Sequence, residues 1–133
     1  MILTQTKPVV SVVEDDESVR RALTRLIRSV GLTAEAFASA TDFLCYGHLD
    51  TPGCVILDVR MPGLSGLDLQ QRLIEVGLQM PIIFITAHED AHMRERAMNR
   101  GAIAFFQKPF DDRALLDAIY NALGTDRQDH EHA

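Results

Sequence analysis

Five short apolar runs mark the chain: Val9 to Val13, Thr33 to Phe37, Cys54 to Leu57, Pro81 to Ile85 and Ala102 to Phe106. Runs of this length, rich in Val and Ile and bounded by turn residues, predict strands buried on both faces. Glu35 interrupts the second and makes it the weakest. Between the runs, apolar residues recur at helical spacing. In the first such segment Val19, Ala22, Leu23, Leu26, Ile27 and Val30 fall on one face. The second, Ser39 to Tyr46, is short, with Phe43 and Leu44 as its buried pair and Ser39 as N-cap. The third, after Gly66, offers Leu67, Leu69, Leu73, Ile74 and Val76, and the fifth offers Leu115, Leu116, Ile119, Tyr120 and Leu123. The fourth, about Glu89 to Arg100, has only Ala91, Met93, Ala97 and Met98. So thin a stripe predicts the most mobile helix of the set.

Gly31, Gly47, Gly77, Gly101 and Gly124 each fall just past a predicted helix, where a left-handed residue closes the last turn. Pro8, Pro52, Pro62, Pro81 and Pro109 all lie at or just outside strand ends, and none interrupts a helix. Strands alternating with helices predict parallel strands joined by right-handed crossovers, hence a doubly wound α/β sheet with helices on both faces. The expected domain runs from 8 to 124. An N-terminal arm, 1–7, precedes it, and a polar, frayed tail, 125–133, follows.

Composition narrows the partners. At 133 residues, 47% hydrophobic and 24% charged, the chain is long enough for one core without metal or disulfide help. A net charge of −6 argues against a nucleic-acid surface. No apolar run approaches a membrane span, and residues 1–7 lack the features of a signal peptide, so the chain reads as cytoplasmic. Cys45 and Cys54 form no CxxC pair and are expected as unpaired thiols.

The candidate chemistry lies at the strand ends. In an open parallel sheet, ligands bind outside the carboxyl ends of the strands. There stand Glu14, Asp15 and Asp16 after the first strand, Asp58 after the third, Thr86 after the fourth and Lys108 after the fifth. Each alone has a plainer reading, as a helix cap, a strand-end threonine or a solvated lysine. Their convergence on one edge favours a site. Glu14, Asp15 and Asp58 together carry about −3, which needs a counter-charge. Lys108 and a divalent cation would balance it, and hard oxygen donors suit Mg²⁺, with Mn²⁺ as the alternative. An ion, an ammonium and a hydroxyl around one carboxylate form a cage for a transferring phosphoryl group, with the carboxylate as nucleophile.

The acidic stretch Glu14-Asp15-Asp16, the segment from Leu57 to Gly66, Thr86-Ala87 and Lys108-Pro109-Phe110 together resemble the receiver domain of two-component response regulators. The resemblance covers about Pro8 to Leu123 and is strongest to receivers that precede a helix-turn-helix domain. It implies a flavodoxin-like strand order 2-1-3-4-5. By resemblance Asp58 accepts the phosphoryl group, Asp15 holds Mg²⁺ directly, Glu14 holds it through water, and the backbone carbonyl of Arg60 is a further ligand. Thr86 and Lys108 would contact the phosphoryl oxygens, Phe105 would be the rotating aromatic switch, and the Lys108–Pro109 peptide would be cis. The donor would be a phosphohistidine on a sensor histidine kinase or phosphotransfer protein. The output would be a changed face of the fourth helix, fifth strand and fifth helix, where a homodimer partner or effector binds. One departure is Glu14, where Asp is commoner. The tail ending His130-Glu131-His132-Ala133 does not read as an interdomain linker, which favours a free-standing receiver.

Other readings are weaker. A phosphatase of the haloacid dehalogenase type would carry a second Asp where Arg60 stands, and a flavodoxin would need a phosphate loop where three acids stand. A degenerate receiver, acting only as a protein-interaction module, would lack one of the acids, Asp58 or Lys108. His88 and His92 have a spacing that can bind Zn²⁺, but without further ligands they read as solvated. The tail histidines and the run Arg94, Arg96 and Arg100 also read as solvated. Arg60 and His88, each two residues beyond Asp58 and Thr86, would flank the path of an attacking water and tune dephosphorylation.

Overall fold

The structure, a computed structural model, describes residues 7–88 and 90–124. The expected tail, its histidines, most of the N-terminal arm and Glu89 lie outside these residues. The chain forms β1 (Val9–Val13), α1 (Glu17–Ser29), β2 (Thr33–Phe37), α2 (Ala40–Tyr46), β3 (Gly53–Asp58), α3 (Gly66–Glu75), β4 (Ile82–Thr86), α4 (Ala91–Asn99), β5 (Ala104–Gln107) and α5 (Asp112–Leu123). All four strand pairings are parallel, in the order β2-β1-β3-β4-β5. The runs expected for β1 and β2 match the strands residue for residue. β5 starts two residues later than expected, because Ala102 still belongs to the cap of α4: its amide donates to Ala97 O at 3.0 Å.

Alternate strand residues face opposite layers. Val10, Val12, Cys54, Ile56, Ile83 and Ile85 pack beneath Leu23 and Ile27 of α1 and Leu115, Leu116, Ile119 and Tyr120 of α5. Val13, Val55, Leu57, Ile82, Phe84 and Phe105 pack with Phe43 of α2, Leu69 and Leu73 of α3 and Ala97 of α4. Burial on both faces is why these strands read as continuous apolar runs. Burial also pushes the Cys54 thiol up to about 12, and both cysteines are free.

Several expectations need correction. Ala22 is exposed, and Ile74 (46%) on α3 and its C-cap Val76 (67%) face solvent while Gln70 is 1% exposed. Gly66, Leu69, Gln70 and Leu73 make the buried stripe of α3, at the i, i+3, i+4, i+7 spacing, so position outweighed side-chain polarity. Gly47 is not left-handed, with φ −74°. It is needed for space instead, because a Cβ there would lie 2.5 Å from Phe43 O and 2.8 Å from the Phe43 ring. On α4 only Ala97 is buried; Met93 is half-buried, and Ala91 and Met98, also expected in the stripe, are exposed.

Candidate functional site

Parallel register carries the strand tips to one edge. Val13 pairs with Leu57, so Glu14 leaves β1 beside Asp58 at the end of β3. Asp58 pairs with Ile85 and Thr86 with Gln107, which brings Thr86 and Lys108 to the same edge. The chain then turns sharply over Asp58. Ser65 and Asp68 cap α3 reciprocally, and the hydrogen bonds from Ser65 hold the Asp68 carboxyl below its ordinary range. Gly66 starts the helix so close to the strand that a Cβ would sit 2.3 Å from Asp58 O. Only glycine fits there.

Carboxylate oxygens of Glu14, Asp15 and Asp58 lie within 4.8 Å of one another. Glu14 and Thr86 are fully buried, Asp58 is 5% exposed, and Asp15 is open to solvent. Lys108 Nζ lies 2.6 Å from Glu14 Oε1 and 3.4 Å from Asp58 Oδ2, so its tighter partner is Glu14. Burial and then the Asp58 carboxyl raise the Glu14 pKa, and Lys108 only partly opposes them. Burial and then Glu14 raise that of Asp15. Burial disfavours the Lys108 ammonium, but the Glu14 hydrogen bond and the two acidic charges outweigh it and raise its pKa. Three acids and one ammonium leave about −2, and Glu14 and Asp15 resist carrying their share of it. The donor set therefore fits a hard divalent cation.

The remaining predicted residues are placed as follows. The Arg60 amide donates to Asp58 Oδ1 at 3.2 Å, which puts the Arg60 backbone against the Asp58 carboxylate. The side chains of Arg60 and His88 are exposed, as is His92. Asp16 stands apart from the cluster as the N-cap of α1, accepting from Ser18 N and Val19 N. The Thr86 hydroxyl is engaged locally, donating to His88 O at 3.1 Å. Phe105 is already inside, 5% exposed and 6.0 Å from the Phe84 ring, with the Arg94 guanidinium 5.8 Å over its face. Arg94 is thus not simply a solvated charge. The Lys108–Pro109 peptide is cis.

Two residues at or near this site escaped sequence reasoning. Arg20 Nη1 reaches back from α1 to Glu14 O (2.8 Å) and Asp15 O (3.3 Å). Its spacing of six and five residues from the acids was the available signal. Gln70 Nε2 donates to Ala97 O at 3.0 Å, tying α4 to α3. Its Oε1 is buried without a hydrogen-bond partner among the described residues. No sequence pattern pointed to it.

A family model described as the response regulator receiver domain matches residues 10–120. Nodulation protein W of Bradyrhizobium diazoefficiens is 52% identical over 95% of this chain and 56% of its own length. Transcriptional regulatory protein TdiR of Thauera aromatica is 49% identical over 90% of this chain and 52% of its own. The solved structure of the response regulator StyR superposes with a TM-score of 0.84 at 47% identity, covering 95% of this chain and 64% of StyR. The chain spans about half the length of the curated relatives it matches.

Proposed function

The chain belongs to the response regulator receiver family of two-component signalling, and from that premise we propose that it accepts a phosphoryl group on Asp58. The donor is a phosphohistidine on a sensor histidine kinase or phosphotransfer protein. The phosphorus–nitrogen bond breaks as an Asp58 oxygen bonds to phosphorus. The observation that carries this reading is the packing of Glu14, Asp15 and Asp58 within 4.8 Å beside the Lys108 ammonium. Glu14, Asp15, Asp58 and the backbone carbonyl of Arg60 would hold Mg²⁺, with Mn²⁺ as substitute. When bound, the ion would supply positive charge beside the Asp58 carboxylate and the phosphoryl oxygens. Lys108 supplies a second positive charge, and Thr86 supplies a neutral donor.

Output runs through Thr86. Its hydroxyl now donates to His88 O, and a phosphoryl oxygen is a stronger acceptor than a carbonyl. Turning toward Asp58 would free the turn that leads into Asp90, the N-cap of α4. Because Phe105 already lies inside, its ring need not swing inward to fill space under α4, and the His88 turn and α4 carry the change. The α4, β5 and α5 face then alters its affinity for a second copy or an effector. The likeness to TdiR, a transcriptional regulatory protein, supports transcription as the process controlled.

The test is mass spectrometry after exposure to acetyl phosphate with and without Mg²⁺. One acid-labile phosphate on Asp58 is expected, dependent on Mg²⁺ and absent in Asp58→Asn. A phosphate mapped to Ser, Thr or His, or normal labelling of Asp58→Asn, would sink the assignment.

A further inference from the structure

Beyond β1 the carbonyls of Glu14 and Asp15 leave the sheet; that of Glu14 is half-buried and needs a donor, and that of Asp15 is exposed. Arg20 Nη1 is the donor recorded for both among the described residues, at 2.8 and 3.3 Å. The same turn is held at its other points. Glu14 N donates to Phe37 O at 3.1 Å, Asp16 N donates to Glu14 Oε2 at 3.2 Å, and Arg20 N donates to Asp16 O at 2.9 Å. Arg20 thus folds back over the loop from which its own helix starts. It meets carbonyl oxygens rather than the carboxylates, whose charged neighbours are Asp58, Lys108 and each other. Its action is on position and not on charge. Asp15 depends on this most, because its side chain is exposed and its direction follows the backbone at 14–15.

We infer that Arg20 is the positioning residue of the acidic pair, holding the Glu14–Asp15 backbone so that both carboxylates face the cation. The inference rests on the cation-binding reading above. Partners one step removed from a metal typically govern affinity by ten- to a hundredfold. Arg20→Met is therefore expected to weaken Mg²⁺ about tenfold. The readout is a Mg²⁺ titration followed by amide NMR shifts of residues 13–16 and 58–60, at a temperature where all variants are folded. Thr24→Ala removes another side-chain bond of α1, to Arg20 O, and is expected to bind like wild type. Arg20→Lys keeps the charge without the planar reach and should stay nearer to Arg20→Met than to wild type. It also serves as the test if Arg20→Met does not fold. If wild type binds no Mg²⁺, the cation-binding reading itself fails. If wild type binds and Arg20→Met binds within twofold of it, or Arg20→Lys recovers fully, only the positioning role is overturned.

Discussion

Replacing Asp58 with asparagine removes one of three acids from a cleft that holds a single ammonium. Asp58 faces two like charges no farther than 4.8 Å away and one opposite charge at 3.4 Å. At an effective dielectric constant of about 20 the two repulsions exceed the attraction by roughly 2 kcal/mol, and in a water-like medium by about 0.5 kcal/mol. Burial of Asp58 adds to the relief, and the asparagine oxygen can still accept from the Arg60 amide. Metal-free Asp58→Asn should therefore be more stable than wild type by about 0.5–2 kcal/mol, a Tm gain of roughly 2–8 °C. Mg²⁺ should reverse the order. At about 100 times its Kd the ion adds roughly 2.7 kcal/mol to a protein that binds it only when folded, and the variant keeps one ligand fewer. Thermal and urea unfolding in EDTA and in Mg²⁺ measure both effects. An Asp58→Asn protein no more stable than wild type in EDTA would refute the electrostatic argument. An equal gain from Mg²⁺ in the two proteins would refute the placement of Asp58 among the ligands.

Arg60→Ala and His88→Ala should change the decay rate of the phosphorylated protein severalfold while moving Mg²⁺ affinity less, because both side chains are exposed at the rim of the site. Unchanged decay in both would exclude a role in tuning the lifetime. Gln70→Leu should alter global stability by no more than about 1 kcal/mol, since Ala97 O keeps the Ala102 amide and an unpartnered oxygen is removed. It should nevertheless speed amide exchange in Ala91–Asn99, and exchange there no faster than in wild type, relative to α5, would show that Gln70 does not tether α4.

The apolar runs alone determined the sheet class and most of the strands, because a strand covered on both faces has no polar side to confuse its reading. They also determined where the chemistry would gather. In a parallel sheet every strand points its carboxyl end the same way, so Glu14, Asp58, Thr86 and Lys108 had to share an edge once the strands were identified. What the chain could not show in one dimension was which neighbour each group would choose there. Lys108 holds Glu14 more closely than Asp58, and Thr86 turns to His88 O, because those distances follow from how the loops settle over the strand tips. Periodicity favoured Ile74 and Val76 over Gln70, since it ranks side chains by polarity. The structure ranked them by angular position, and a buried position can keep a glutamine when a carbonyl such as Ala97 O needs a donor. By periodicity Arg20 is one more polar position of α1. Its contact with the acidic pair exists only because α1 begins close enough to the end of β1 for a long side chain to reach back to the Glu14 and Asp15 carbonyl oxygens.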